Sequence, residues 1–99
     1  MPRGQLEIIR GDFPGTTYAL DADEVMIGRN PTTDITLLDE GVSREHAFLL
    51  WDEALPGYVI EDLSSTNGTK LNGKRVRSAP LAAGDELQLG ETVFRFRIA

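Results

Sequence analysis

The stretch from residue 28 to residue 73 contains three short polar clusters between apolar runs: Gly28-Arg29-Asn30, Ser43-Arg44-Glu45-His46 and Ser65-Thr66-Asn67-Gly68-Thr69. The clusters contain hydroxyl, amide and guanidinium groups, with glycines nearby. Such groups suit an anion, because short donor side chains and exposed backbone N–H groups can all point at it. The apolar runs between the clusters are short enough to be β-strands. The stretch therefore predicts a β-sandwich whose loops bind an anionic ligand.

Strand signals continue on both sides of this stretch, and no window of a dozen residues shows the apolar spacing of a helix. Strands are expected at residues 6–10, 16–20, 24–27, 35–38, 47–51, 58–60, 70–71, 74–76, 86–89 and 92–98. About ten short strands without intervening helices predict an all-β fold, an antiparallel two-sheet β-sandwich. The chain length of 99 residues predicts a single domain over residues 1–99.

Turn residues separate these strands. Asn72-Gly73 is the strongest hairpin signal, because both central residues of a two-residue turn need positive φ. Further turns are expected at residues 13–16 and 81–85. Trp51 is expected to pack in the core or at a sheet edge, and Ile98 to share a face with the two phenylalanines of the last strand. The predicted core residues are Phe48, Leu50, Val59, Phe94 and Phe96.

The charge of the chain is uneven. The formal net charge is −6, from 10 basic and 16 acidic residues. Nucleic acid is therefore not expected as a partner, because affinity for it rests on a basic face that neutralises phosphates. Between residues 64 and 78 there is no acidic residue, and the basic ones are Lys70, Lys74, Arg75 and Arg77. This segment can attract an anion, or it can be a solvated hairpin whose cations serve solubility.

Several classes of protein are excluded or disfavoured. The absence of cysteine excludes disulfides and thiolate chemistry. The first residues lack an apolar signal core, and no run approaches the length needed to span a membrane. A cytoplasmic location without a membrane partner is therefore expected. One histidine, scattered acidic residues and no glycine-rich nucleotide loop predict no metal and no cofactor.

A hydrolase would require Ser43 as nucleophile and His46 as base, with Asp62 or Asp39 orienting the histidine. Such catalysis needs serine and imidazole in contact, plus an oxyanion hole. The strained strand-to-helix elbow that exposes the serine in one large hydrolase class is missing from the sequence. We therefore expect no enzyme and no catalytic residue. His46 is expected to be structural, with its ring nitrogens holding neighbouring loops.

Four side chains of the clusters could contact a ligand directly. Arg29 follows a strand and can present its planar fork to phosphate oxygens. Ser43 can donate to a phosphate oxygen, and Arg44 can add charge or bond to a peptide carbonyl. Asn67 both donates and accepts, so it can pair with the backbone of an extended peptide. The alternative for the last cluster is a self-bonded turn, because Ser, Thr and Asn bond readily to their own backbone.

The chain contains seven short segments whose order and spacing resemble those of the forkhead-associated (FHA) domain. The resemblance runs from Val25 to Phe96 through VMIGR, DITL, VSREHA, a W…YVIEDL segment, STNGT, LNG and LAAGDELQLG. Each motif alone is weak, whereas the order and spacing of all seven are specific. Ser64 departs from the family, which often has glycine before its Ser-Thr-Asn-Gly run.

The resemblance implies an eleven-stranded sandwich that binds phosphothreonine peptides through loops at one end, without catalysis. Carried over by position, it implies phosphate binding by Arg29, Ser43 and Thr66, peptide-backbone binding by Arg44 and Asn67, and architectural roles for Gly28 and His46. The implied partner is a phosphothreonine-containing protein, a substrate of a Ser/Thr kinase, bound by a monomeric domain. The alternative is a structural or assembly module that makes phosphate-independent contacts through a sheet face or strand edge.

Overall fold

The computed structural model describes residues 3–98, in which there are eleven strands and no helix, and therefore no helix that could cross a membrane. The strands are β1 (Gly4–Arg10), β2 (Thr17–Leu20), β3 (Glu24–Gly28), β4 (Ile35–Thr36), β5 (Ala47–Asp52), β6 (Gly57–Asp62), β7 (Thr69–Leu71), β8 (Lys74–Val76), β9 (Ser78–Pro80), β10 (Glu86–Leu89) and β11 (Thr92–Arg97). The predicted domain also includes Met1, Pro2 and Ala99, which lie outside the described residues.

The strands form two sheets. The six-stranded sheet has the order β2-β1-β11-β10-β7-β8, and the five-stranded sheet has the order β4-β3-β5-β6-β9. Neighbouring strands run antiparallel except for β3 and β4, which are parallel with Ile27 opposite Ile35. The predicted all-β sandwich is therefore confirmed, with one parallel pair that the sequence did not predict.

The core lies between the two sheets and is built from alternate residues of the strands. At most 3% of the surface remains exposed at Leu6, Ile8, Ile27, Leu49, Ile60, Leu87, Leu89, Phe94 and Phe96. Burying each such side chain contributes roughly 1.5–3 kcal/mol to stability. The predictions for Phe94 and Phe96 are confirmed.

The prediction was wrong for Phe48, Leu50 and Val59, which are half-buried on the outer face of the five-stranded sheet. Their neighbours Leu49 and Ile60 are fully buried and lie opposite each other in β5 and β6. The run from residue 47 to residue 51 is apolar throughout, so alternation could not identify its inner face. A shift of one residue exchanges the two faces of a strand, and pairing with neighbouring strands decides between them.

The predictions for Trp51 and Ile98 had opposite outcomes. Trp51 is half-buried and packs against the core, edge-on to Tyr58 with ring centroids 5.1 Å apart, so the expected core packing is confirmed; its strand β5 is central and not at a sheet edge. Ile98 is 61% exposed, and the prediction that it shares the buried face of Phe94 was wrong. The strand ends at Arg97, so Ile98 has no position in the sheet.

The hairpin prediction at Asn72-Gly73 is confirmed, because φ is 52° at Asn72 and 86° at Gly73. Strand β9 was not predicted. It lies at the edge of the five-stranded sheet, where Pro80 is opposite Val59. Proline lacks a backbone N–H. It is tolerated in an edge strand because the outer side of that strand has no neighbouring strand to bond to.

Candidate functional site

Strand β3 ends at Gly28, directly against the loop between β4 and β5. A Cβ atom at Gly28 would overlap the backbone of Arg44, so only glycine permits this close approach. The backbone N–H of Arg29 donates to Ser43 O at 3.0 Å, and that of Asn30 donates to Arg44 O at 3.1 Å. Gly28 thereby brings the first two polar clusters side by side.

The side chain of Arg29 is exposed, and its Nε donates to Val42 O at 3.1 Å. This bond holds the base of the guanidinium against the β4–β5 loop. The two Nη groups have no hydrogen bond or ion pair within residues 3–98. Their donors are therefore available to an anion, and the bond at Nε restricts where they can point.

Ser43 joins the second cluster to the third. Its Oγ accepts a hydrogen bond from the backbone N–H of Thr66 at 3.1 Å. Because the oxygen is the acceptor in that bond, the hydroxyl hydrogen remains free to donate. Ser43 is half-buried and Thr66 is exposed, so both groups reach the surface beside Arg29.

His46 lies completely buried beneath these loops. Its Nδ1 accepts from Ser43 N at 3.0 Å, so a neutral ring carries its hydrogen on Nε2. Nε2 then donates to Gly68 O at 2.9 Å. Both ring nitrogens are thus engaged by backbone groups, which fits the predicted structural role and leaves neither for a proton transfer with Ser43 Oγ.

Asp62, at the end of β6, organises the third cluster. One carboxylate oxygen accepts from Ser65 Oγ at 2.6 Å and from Thr69 Oγ1 at 2.8 Å, and the other accepts from Ser65 N at 3.1 Å. Partial burial alone raises the pKa of Asp62, but the hydrogen bonds from Ser65 and Thr69 outweigh it, and the net pKa is lowered. His46 Nε2 lies 3.9 Å from the same carboxylate.

The turn itself closes through Ser65, whose Oγ accepts from Gly68 N at 3.0 Å. Gly68 has φ of 82°, a conformation that favours glycine. Ser64 also has positive φ, at 56°. The resemblance implies that glycine is common at this position, and the positive φ gives the reason; serine in this conformation costs about 1–2 kcal/mol.

Asn67 and Arg44 border the site on the surface. Asn67 Nδ2 donates to Gly41 O at 2.9 Å, and the side chain is exposed. Its carbonyl oxygen has no partner within residues 3–98 and can accept from a ligand. Arg44 is exposed and has no side-chain ion pair in the described part of the chain.

Asp39 fixes the other side of the β4–β5 loop. It accepts from Gly41 N, Glu91 N and Thr92 Oγ1, each at 2.8 Å, and so ties this loop to the β10–β11 turn. Burial raises the pKa of Asp39, but these hydrogen bonds prevail and lower it. Sequence reasoning weighed Asp39 and Asp62 only as partners of a catalytic histidine and missed their structural roles.

The structure thus brings all seven predicted site residues to one end of the sandwich. A cavity of about 690 Å³ lies next to them, between the β1–β2 turn and the β4–β5 loop. Its lining includes Phe13, Leu38 and Gly41, but none of the three predicted phosphate ligands. The cavity therefore borders the candidate site.

Comparisons with known proteins show which proteins the chain resembles. The FHA domain family model matches residues 25–90. The chain is 40% identical over 95 residues to the glycogen accumulation regulator GarA of Mycolicibacterium smegmatis, covering 92% of the chain and 58% of GarA. The chain therefore spans a little over half the length of that relative.

Two solved structures are similar over nearly the whole chain. One comes from a structural and functional analysis of phosphothreonine-dependent FHA domain interactions; it has a TM-score of 0.86 and 35% identity, covering 97% of this chain and 96% of that one. The other is Mycobacterium tuberculosis EmbR in complex with a low-affinity phosphopeptide. It has a TM-score of 0.87 and 35% identity, covering 97% of this chain and 24% of that one.

Proposed function

The chain belongs to the FHA domain family, and from that membership we propose that it is a phosphothreonine-dependent protein-interaction module. The loops at one end of the sandwich bind a phosphorylated peptide. One observation carries the proposal: the exposed guanidinium of Arg29, the hydroxyl of Ser43 and the loop of Thr66 meet at one surface. The similarity to structures that engage phosphothreonine or phosphopeptides supports it.

The phosphate has the right charge and geometry for these groups. Phosphothreonine carries about −1.5 to −2 charges near neutral pH and has three strong acceptor oxygens. Arg29 supplies charged N–H donors, Ser43 a hydroxyl, and Thr66 a further hydroxyl. Each hydrogen bond to a charged group contributes roughly 1.5–3 kcal/mol, so these contacts discriminate strongly against unmodified threonine.

The peptide backbone is held by the flanking residues. Asn67 already donates to Gly41 O, which orients its amide and leaves the carbonyl oxygen for a peptide N–H. Arg44, on the exposed β4–β5 loop, bonds to a peptide carbonyl. Gly28 and His46 hold the loops in place and do not touch the ligand.

The partner is a phosphothreonine-containing protein that is the substrate of a Ser/Thr kinase. The module acts by binding, without catalysis, and the whole chain forms one monomeric domain. A cytoplasmic location stays a prediction from the sequence. Such a module joins two proteins only after one of them has been phosphorylated.

The test is the affinity for a phosphothreonine peptide and its unmodified counterpart, measured by calorimetry with the wild type and Arg29→Ala. Removing two charged hydrogen bonds at about 1.5–3 kcal/mol each should weaken phosphopeptide binding by roughly 100-fold or more. Arg97→Ala is the matched control, because Arg97 is exposed at the end of β11 that lies away from the β10–β11 turn, and its loss should leave binding unchanged.

The melting temperature of Arg29→Ala should stay close to that of the wild type, since the side chain is exposed. Equal affinity for both peptides would overturn the proposal. Binding that survives Arg29→Ala and does not depend on phosphorylation would instead indicate the alternative, a structural or assembly module.

A further inference from the structure

We propose that Lys70 and Arg75, on the β7–β8 hairpin, form a second anion site for the same partner segment that presents the phosphothreonine. The anion is a carboxylate or a second phosphate close to the first in the partner's sequence. This inference rests on the proposed function and specifies the class of peptide that binds best.

The hairpin places these two cations together on one face. Lys70 and Arg75 are directly opposite each other in the β7–β8 ladder. Their neighbours Thr69 and Val76 form the next pair, and Thr69 is fully buried. Successive side chains of a strand point to opposite faces, so Lys70 and Arg75 point outward, and both are exposed.

Arg75 also reaches the binding loop. A Cβ atom added at Gly68 would overlap the Cδ, Nε and Cζ atoms of Arg75, so this side chain lies across Gly68. Gly68 is the next residue after Asn67, whose amide is placed to hold the peptide backbone. A peptide that runs over Asn67 therefore passes within reach of the Arg75 guanidinium, and the second site continues the first.

The cations of the hairpin form no ion pair with the described residues 3–98. From residue 63 to residue 84 there is no acidic residue. Within residues 3–98, the arginines that form ion pairs are Arg3, Arg95 and Arg97, whereas Lys70 and Arg75 form none. In a chain with a net charge of −6, this is a local cationic surface beside a loop that binds an anion.

Two other roles for these cations, protection of the sheet edge and binding of nucleic acid, explain their positions less well. Lysine on an edge strand discourages edge-to-edge association, and β8 is an edge, but that reason applies to any cation there and not to the contact with Gly68. Nucleic acid would need a basic face larger than this hairpin on a protein of less negative charge. An anionic side chain of a bound peptide fits the position of Arg75 beside Asn67.

Binding is measured with three sets of peptides built on one sequence. The first carries phosphothreonine alone, the second adds glutamate at each position up to three residues away in turn, and the third adds a second phosphothreonine at those positions. We expect the wild type to gain about three- to tenfold in affinity at one or two of these positions, because each exposed ion pair contributes little. The glutamate and phosphate arms show which anion the site prefers.

The double variant Lys70→Ala/Arg75→Ala should bind the first peptide like the wild type and lose the gain. The control is Arg10→Ala, which removes an exposed arginine from the same sheet four strands away, a separation of about 19 Å. The Arg10→Ala variant should keep the affinity gained from the added anion. A reversal of both charges, Lys70→Glu/Arg75→Glu, should reverse the preference and favour peptides with lysine at the same position.

The inference is overturned if no added anion improves binding or if the gain persists in the double variant. These results leave the proposed function intact, since the first peptide still binds. Failure of every phosphopeptide to bind the wild type overturns both.

Discussion

The two connections that flank β7 obtain their shapes in different ways. The loop before it, residues 63–68, is held by Ser43 and His46, which are more than twenty residues away in sequence. The turn after it, Asn72-Gly73, takes its shape from its own two positive φ angles. The binding loop therefore depends in part on polar groups far away in sequence, whereas the hairpin turn takes its backbone shape from its own residues and is anchored by exposed bonds from Asn72 to Asp85 and Glu86. Stability and ligand binding should be coupled in the first connection and separate in the second.

The largest effect is expected from Asp62→Ala. The substitution leaves the hydroxyls of Ser65 and Thr69 buried without their acceptor and should lower the free energy of unfolding by about 3 kcal/mol. Phosphopeptide affinity should fall as well, because Ser65 closes the binding turn. Urea denaturation and calorimetry measure the two effects. The control Asp52→Ala removes a carboxylate whose hydrogen bonds within residues 3–98 lie in its own turn, and it should change both little. Lost stability with unchanged affinity would contradict the coupling.

Lowering the pH should reproduce part of the stability loss expected from Asp62→Ala. The pKa of Asp62 is lowered in the folded protein, so its contribution to stability is complete above the unfolded pKa of about 4 and is lost as pH falls through the folded value. The stability difference between the wild type and Asp62→Asn should therefore shrink from pH 5 to pH 3. Denaturation curves at several pH values measure it, and a constant difference over that range would contradict the shift.

The smallest effect is expected from Asn72→Ala in the hairpin turn. Alanine is strained at φ of 52°, and the bonds of Asn72 to Asp85 and to the N–H of Glu86 are lost. We expect a loss of about 1–2 kcal/mol in stability and no change in affinity for a peptide whose phosphothreonine is its only anion. Asn72→Gly removes the side-chain bonds but tolerates the backbone angle, so it separates the two causes. A change in affinity would show that the two connections are not independent.

The same difference explains what the sequence could predict. The hairpin was predictable because Asn-Gly specifies its turn locally. The phosphate ligands were predicted from the order and spacing of motifs, which resemble a known family, and the structure places Arg29, Ser43 and Thr66 together. Their roles in binding stay predictions.

The features that the sequence could not predict depend on contacts between segments that are distant in the chain. The inner face of β5 is chosen by its neighbours in the sheet, so Phe48 and Leu50 were assigned to the wrong side. Asp62 looked like any carboxylate after a strand, and its bonds to Ser65 and Thr69 form only once the loop has folded back onto β6. Asp39 bonds to residues more than fifty positions away, which no local pattern indicates.

The buried ring of His46 has a consequence for kinetics. It joins the segment of Ser43 to that of Gly68 before any peptide arrives, with both ring nitrogens already occupied. Encounter should then require no slow rearrangement of these segments, and the association rate should vary little from one peptide sequence to another. Differences between good and poor peptides should appear in how long each complex survives.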